Sequence, residues 1–112
     1  MMEILVTEQS HCNLVSISGR IDSYSAPQIQ RVLNSIIENK QHNIIIDLQD
    51  VNFLSSSGIL TFVKAQRELK QQNKGKIVFV NVSDLVFTNF KIAGFDTIFD
   101  FYGDLTTAKE RF

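Results

Sequence analysis

The chain has 112 residues, of which 44% are hydrophobic and 21% charged, and its formal net charge is −1, so we expect residues 1–112 to form a single domain. The balanced charge, without a run of either sign, argues against direct binding to nucleic acid or to an anionic membrane surface. No apolar stretch reaches the roughly 18 residues of a membrane span, and the first ten residues lack the pattern of a signal peptide, so we expect a cytoplasmic protein.

The first two predicted elements form an antiparallel hairpin. Residues 2–7 and 14–19 each alternate between apolar and polar side chains, and a polar turn at 8–13 separates them. Alternation of this kind is typical of strands with one face on a core. We therefore expect the chain to begin with two paired strands.

A helix is predicted next, at residues 25–40. It carries its apolar side chains at the spacing of one helix face, namely Ile29, Val32, Leu33, Ile36 and Ile37. At its start, Ser25 and Gln28 fit a capping box with Pro27 in the first turn, and Tyr24 with Ile29 fits a hydrophobic staple.

Two short apolar runs, residues 44–48 and 76–82, predict buried strands, and residues 59–69 between them show the spacing of a helix. A strand, a helix and a strand in this order predict a parallel crossover. The second strand of the hairpin, the first helix and residues 44–48 form another such unit.

The last part of the chain predicts three further elements. Ser83 or Asp84 begins a third helix that ends at Gly94, residues 97–102 form a short edge strand, and residues 104–110 form a final helix capped by Asp104. The complete order predicts an α/β fold with a mixed, mostly parallel sheet of about four to five strands and about four helices.

Three consecutive serines, Ser55, Ser56 and Ser57, lie where a predicted strand leads into a helix. One interpretation is that a single serine caps the helix and the others fill its first turn. The other is that one hydroxyl is presented at the carboxyl edge of the sheet, where free amides and the helix dipole stabilise a phosphate. A cap requires only one of the three serines.

Catalytic and metal sites have little support in the sequence. The serines lack the G-x-S-x-G elbow of a hydrolase nucleophile, and both histidines, His11 and His42, fall in predicted loops. Asp47 lacks the acidic pair and the lysine that a phosphoacceptor aspartate requires, so we interpret it as a structural strand-end residue. Cys12 has no partner for a disulfide or a metal site. We expect no enzyme activity, no metal and no cofactor.

A second polar segment, residues 19–23, ends a predicted parallel strand. The carboxyl ends of parallel strands lie at one edge of a sheet, which is where open α/β sheets place their binding surfaces. We therefore expect this segment and the serines to contribute to one surface.

Nearly the whole chain resembles the STAS domain, and specifically the small bacterial anti-sigma factor antagonists. The combination I-D-L-x-x-V-x-F-x-S-S-S-G-I is the most specific part of the resemblance. The matching segments are Gly19-Arg20-Ile21-Asp22 followed by Ala26 and the helix with Ile29 and Leu33, Ile46-Asp47-Leu48 with Val51 and Phe53, Ser56-Ser57-Gly58-Ile59, and Ala93-Gly94-Phe95 with Ile98-Phe99.

The resemblance implies a STAS-like fold and a regulatory function. In that family the unphosphorylated protein binds an anti-sigma factor, itself a serine kinase of the histidine-kinase-like ATPase fold, and thereby frees a sigma factor. Phosphorylation ends the binding and a PP2C-type phosphatase reverses it. Carried over by position, the acceptor is Ser56, with Ser57 and Ser55 as less favoured acceptors. The partner-binding residues are Asp22, Ser23, Phe53, Leu54, Ser55, Ser57, Gly58 and Ile59.

One position departs from the family pattern, because the residue before the acceptor is usually aspartate and here it is Ser55.

A second function also stays open. The chain could be a STAS scaffold that does not switch, or an accessory subunit of a larger assembly such as a stressosome-like particle or a lipid-transport ATPase. The resemblance also leaves a homodimer open.

Overall fold

The computed structural model describes residues 1–39 and 43–112, which form five strands and four helices. The elements are β1 (Met2–Glu8), β2 (Asn13–Ile21), α1 (Ala26–Glu38), β3 (Ile44–Leu54), α2 (Ser56–Gln71), β4 (Ile77–Val80), α3 (Asp84–Ala93), β5 (Asp100–Tyr102) and α4 (Leu105–Glu110). The predicted α/β class and the order of the elements are confirmed. None of the helices in the described residues is long and apolar enough to cross a membrane.

The five strands form one sheet in the order β1-β2-β3-β4-β5. β1 pairs with β2 in antiparallel orientation because a short turn joins them. The other neighbours pair in parallel orientation, since the chain returns through a helix between β2 and β3, and again between β3 and β4 and between β4 and β5. The carboxyl ends of β2, β3 and β4 therefore lie at the same edge of the sheet.

The helices cover the two faces of the sheet unequally. Ile44, Ile46 and Leu48 of β3 belong to the main core, together with apolar residues of α1, α2 and α3. Ile45, on the opposite face of β3, packs in a smaller cluster with Ala108 of α4. Because β3 is covered on both sides, its first half is a continuous apolar run.

Phe79 of β4 holds α2 and α3 against the sheet. Its ring centroid lies 5.1 Å from that of Phe62 in α2 and 5.1 Å from that of Phe90 in α3, both in edge-to-face contact. Phe99 makes a third such contact at 5.0 Å. Edge-to-face aromatic pairs are directional, so this cluster sets the distance between the two helices.

β3 extends to Leu54, so the prediction that this strand ends at residue 48 was wrong. Two bulges in β3, each an extra residue relative to β2, explain the error. The first lies between Asp47 and Asp50, which are three residues apart but pair with Ser16 and Ser18, which are two apart. The second follows Val51. Each bulge interrupts the alternation of inward and outward side chains by which a strand is recognised. The extension carries the chain to the edge of the sheet where the serines lie.

The predicted start of α1 was partly wrong. The helix spans Ala26–Glu38, and the Ser25 side chain makes no capping hydrogen bond with it, so no capping box with Gln28 exists. The predicted staple is also absent, because Tyr24 is 92% exposed while Ile29 is fully buried. Lys40 and His42 lie outside the described residues.

The later helix boundaries agree better with prediction. Ser83 caps α3 by accepting from the Val86 N–H at 3.2 Å, and Gly94 ends it with a φ of 82°. Asp104 caps α4 by accepting from the Thr107 N–H at 2.7 Å. The neighbouring elements differ from their predicted bounds: β4 (77–80) and β5 (100–102) are shorter, and α2 (56–71) is longer.

Candidate functional site

The serine triplet divides between two structural positions. Ser55 is the N-cap of α2, with φ −84° and ψ 167°, and its hydroxyl oxygen accepts from the Gly58 N–H at 3.2 Å. Ser56 and Ser57 are the first two residues of the helix, and both are exposed. The capping interpretation therefore applies to Ser55, while the other two hydroxyls face solvent at a helix N-terminus.

The backbone around the serines is anchored from two sides. The Ser55 N–H donates to the Ile21 carbonyl at 2.9 Å, which attaches it to the end of β2. The side-chain amide of Asn89 in α3 donates to the Leu54 carbonyl at 3.0 Å. The serines thus sit on a backbone held by β2 and α3.

Gly58 allows α2 to approach the sheet closely. A Cβ atom at this position would lie 2.5 Å from Cγ2 of Ile21 and 2.8 Å from Cδ1 of Leu54. Both distances are shorter than carbon atoms tolerate without movement of a buried neighbour. Lack of space, and not an unusual backbone conformation, therefore requires glycine here.

The loop that follows β2 is organised around Asp22. Its Oδ1 accepts from the N–H groups of Tyr24 and Ser25, each at 3.0 Å. The Ser25 hydroxyl accepts from the Asp22 N–H at 2.9 Å and donates to the Arg20 carbonyl at 3.0 Å. The hydrogen bond from the Ser25 N–H is the main cause that lowers the pKa of the Asp22 carboxyl, with a smaller contribution from Arg20.

Arg20 connects this loop to the end of β3. Its guanidinium carbon lies 3.8 Å from the centre of the Phe53 ring, and its Nε lies 3.1 Å from Oδ2 of Asp22. Arg20 and Phe53 are also direct partners in the β2–β3 register. Arg20 was not among the site residues predicted from the sequence, because the two bulges hide the register that places it beside Phe53.

A shallow groove of about 370 Å³ runs along the serine segment towards α3. Ser56 lines it, Leu54 and Ile59 are buried at its base, and Ile92 of α3 is 80% exposed beside it. The complete lining is Phe53, Leu54, Ser55, Ser56, Ile59, Asn89, Ile92 and Ala93. The groove therefore combines one exposed hydroxyl with apolar walls.

The contribution of α3 to the groove was not predicted from the sequence, although the spacing of its apolar residues indicates it. Leu85 and Ile92 are seven residues apart, which places them on one face of a helix, and they are 71% and 80% exposed. The core of α3 is formed instead by Val86 and Phe90. A second apolar pair on the outer face of a helix is a signal for an interaction surface.

The predicted partner-binding residues lie close together but differ in exposure. Ser23, Phe53 and Ser57 are exposed, and Asp22 and Ser55 are half-buried. Leu54, Gly58 and Ile59 are buried, so in this structure they support the surface from beneath.

The remaining candidates from the sequence have structural explanations or stay separate from the site. Asp47 accepts from the Gln49 N–H at 2.9 Å and from the Asn81 side-chain amide at 3.3 Å, which agrees with its predicted structural role. It lies within β3, however, and not at the end of the strand as predicted. Burial raises the pKa of the Cys12 thiol. His11 is exposed in the β1–β2 turn, and no three acidic, histidine or cysteine side chains within residues 1–39 and 43–112 are placed to hold a metal ion.

Comparisons with known proteins cover most of the chain. The family model of the STAS domain matches residues 3–108. The anti-sigma-B factor antagonist of Listeria monocytogenes is 30% identical over 100 residues, which are 88% of this chain and 85% of that protein. The crystal structure of an anti-sigma factor antagonist from Mycobacterium paratuberculosis superimposes with a TM-score of 0.88 at 23% identity, covering 99% of this chain and 93% of that one. The Bacillus cell fate determinant SpoIIAA in its phosphorylated form gives a TM-score of 0.74 at 18% identity, with 97% and 98% of the chains covered.

Proposed function

Because the chain belongs to the STAS domain family, we propose that it is an anti-sigma factor antagonist whose binding is switched off by phosphorylation of Ser56. The unphosphorylated chain binds an anti-sigma factor and so frees a sigma factor. One observation carries the proposal: Ser56 is exposed at the first position of α2 and lines an apolar groove, while its neighbour Ser55 provides the cap. The chain is a substrate and a competitor, with no catalysis of its own.

The geometry favours Ser56 over the two neighbouring serines as phosphoacceptor. The Ser55 hydroxyl is half-buried and engaged with the Gly58 N–H. Ser57 is exposed but does not line the groove. Only Ser56 combines exposure with a position at the groove that we propose as the partner surface.

Ser55 replaces the aspartate that is usual in the family, and the structure suggests why the replacement is tolerated. Serine and aspartate are both strong N-caps because an oxygen of either side chain accepts from the first turn of the helix. Ser55 makes this bond with Gly58. The replacement therefore keeps the cap and removes one negative charge beside the acceptor.

Phosphorylation of Ser56 is compatible with the folded chain. A phosphate adds about −1.5 to −2 charges, and the first turn of α2 contains no acidic side chain to repel it. The helix dipole favours an anion at this end by roughly 0.3 to 1 kcal/mol. The switch therefore acts on the complex and leaves the fold intact.

The effect on the complex follows from the surroundings of Ser56. Phe53 and Ile92 flank the groove, so a partner that covers them removes water from the Ser56 position. A phosphate there loses its hydration and opposes any carboxylate of the partner. Unmodified protein binds, and phosphorylated protein does not.

The proposed surface includes more than the groove. The loop with Asp22 and Ser23 adjoins it through the contact of Arg20 with Phe53.

The partners we propose are an anti-sigma factor that is a serine kinase of the histidine-kinase-like ATPase fold, and a PP2C-type phosphatase. The cytoplasm is the proposed location, and residues 1–112 act as one STAS domain.

The acceptor is tested with an anti-sigma serine kinase from the same genome and ATP, followed by intact-mass measurement. We expect one added phosphate on the wild type and on Ser57→Ala, and none on Ser56→Ala. Full phosphorylation of Ser56→Ala would place the acceptor at another residue.

The switch itself is tested by calorimetric titration of the anti-sigma factor with the phosphorylated and unphosphorylated protein. Ser56→Asn serves as the uncharged control for Ser56→Asp, because the two side chains have nearly the same size. Ser56→Asn should bind more tightly than Ser56→Asp, and the phosphorylated protein should bind least. Equal affinities of all forms would contradict the proposed repulsion.

A further inference from the structure

A second groove lies at the opposite end of the sheet from the serines. It has a volume of about 480 Å³ and runs between the outer strand β1 and the helix α1. Its lining residues include Asn13, the first residue of β2, whereas Ile21, the last residue of β2, contacts the serine segment. This groove, which we call the β1–α1 groove, is therefore separate from the surface proposed for the anti-sigma factor.

The side chain of Asn13 is the most unusual feature of the β1–α1 groove. It is 5% exposed and lies on the same face of β2 as the core residues Val15 and Ile17, which is the face that α1 covers. Its backbone N–H donates to the Asn43 carbonyl, but its side-chain amide has no hydrogen bond with any described residue. Buried polar groups are almost always hydrogen-bonded, so an unpaired amide in a groove indicates a missing partner.

Two charged side chains accompany this amide. Glu8 faces Asn13 across the hairpin, and Arg31 projects from α1, and both line the groove. Within residues 1–39 and 43–112, the ion pairs are Arg20 with Asp22 and Lys76 with Asp100, so neither Glu8 nor Arg31 has an ionic partner.

The two charges lie towards opposite ends of the groove. Arg31 precedes Asn39 by eight positions, which corresponds to about 12 Å along a helix. Asn39 is the C-cap of α1, the end from which the chain returns to the start of β3 beside Asn13. No basic side chain lies in the last turn of α1, so the partial negative charge of the helix end adds to that of Glu8.

The floor between the two ends is apolar and is formed by Val6, Val32 and Ile36. The groove thus offers a cation at one end, a carboxylate and amides at the other, and an aliphatic surface between them. A ligand that satisfies all three parts has a carboxylate, an aliphatic middle and an ammonium group. Three extended peptide residues span about 10 Å, which with the reach of the side chains fits the separation of the ends.

We propose that the β1–α1 groove binds a short linear zwitterion of the tripeptide class. The ammonium group of the ligand donates to Glu8 and to the amide oxygen of Asn13, and its carboxylate accepts from the Arg31 guanidinium. The aliphatic side chain of the ligand packs on the floor of the groove. This site does not depend on the proposed function of Ser56.

The test is an NMR titration of the ¹⁵N-labelled protein with the tripeptide Ala-Leu-Ala. We expect saturable shifts at the backbone amides of Val6 and Ser35 and at the side-chain amide of Asn13. The N-acetylated peptide and the C-terminally amidated peptide each lack one charge, and each should bind about tenfold more weakly. Absence of saturable shifts at millimolar peptide, or equal binding of the capped peptides, would overturn the proposal.

Variants of the protein separate the contributions of the two ends. Glu8→Gln and Arg31→Gln change exposed side chains, so they should fold normally and bind Ala-Leu-Ala about tenfold more weakly. Arg67→Gln, on the exposed face of α2, is the matched control and should bind as the wild type does. Wild-type affinity of both groove variants would refute the assignment of the ligand's charges.

Asn13→Leu provides an additional measurement, because leucine has the same branched arrangement of side-chain heavy atoms and no polar group. We expect this variant to have a higher melting temperature without ligand and no measurable binding of the tripeptide. Wild-type affinity of Asn13→Leu would overturn the role of the amide. Should the variant fail to fold, the two charge variants decide the question alone.

Discussion

The backbone N–H of Ser55 donates a 2.9 Å hydrogen bond to the carbonyl of Ile21, and this bond joins the two loops at the carboxyl edge of the sheet. The side chain of Ile21 lies beneath Gly58, so the same residue supports the first turn of α2. The loop after β2 and the serine segment therefore behave as one structural unit. Single substitutions can therefore separate the residues that build this unit from those that carry its proposed function.

Gly58→Ala should lower the free energy of unfolding by about 1 to 3 kcal/mol, because overpacking a core displaces buried neighbours. The added Cβ would meet the Ile21 and Leu54 side chains at 2.5 and 2.8 Å. Urea unfolding followed by circular dichroism measures the change. The matched control is Gly103→Ala, where nothing lies within 4 Å of the new carbon, and a similar loss in both variants would contradict the packing argument.

Ser55→Ala should lower the free energy of unfolding by about 0.5 to 2 kcal/mol, the usual cost of losing an N-cap. The variant removes the hydroxyl that accepts from the Gly58 N–H. Ser56→Ala and Ser57→Ala change exposed residues and should stay within about 0.5 kcal/mol of the wild type. Urea unfolding of the three variants tests this order, and a larger effect of Ser56→Ala would show that we have misidentified the cap.

The Asp22 carboxylate should make the stability depend on pH. Its pKa is lowered in the folded state, chiefly by the Ser25 N–H, whereas the unfolded value is about 3.9. Its stabilisation is therefore fully present above about pH 4 and is lost as the pH falls through the lower folded-state pKa.

Asp22→Asn tests this prediction by urea unfolding at neutral and acidic pH. The variant should be less stable than the wild type at neutral pH, and the difference should disappear at the acidic end. Asp50→Asn changes an exposed carboxylate that has no side-chain hydrogen bond to any residue the structure describes, and it should have a smaller effect at neutral pH. A difference between Asp22→Asn and the wild type that stays constant with pH would contradict the assignment.

Arg20→Gln should loosen the connection between the two loops with only a small effect on global stability, about 1 kcal/mol or less. The variant removes the cation that lies 3.8 Å from the Phe53 ring centre and pairs with Asp22. The ring proton shifts of Phe53 report the local change, and affinity for the anti-sigma factor should fall with it. Arg20→Lys keeps the charge without the planar guanidinium and should be intermediate; unchanged Phe53 shifts in Arg20→Gln would exclude the contact.

Some errors of prediction arose from competition between nearby polar groups. Ser25 matches the pattern of a helix cap, but its hydroxyl hydrogen-bonds to Asp22 and Arg20 instead. The Asp22 carboxylate accepts from the Ser25 N–H and holds it in the loop. A local pattern cannot decide between two such networks, because both satisfy the same donors over a few residues.

The sequence by itself determined the order of the elements, the parallel sheet and the place of the serine segment at its carboxyl edge. These properties follow from periodicity and capping within short segments, as the caps at Ser83 and Asp104 illustrate. Only the tertiary structure decided which serine caps α2, that Arg20 lies on Phe53, and that the buried side-chain amide of Asn13 has no hydrogen bond within residues 1–39 and 43–112. The reason is physical: these features depend on strand register and on packing between elements far apart in the chain, and the bulges of β3 change both without altering any local propensity.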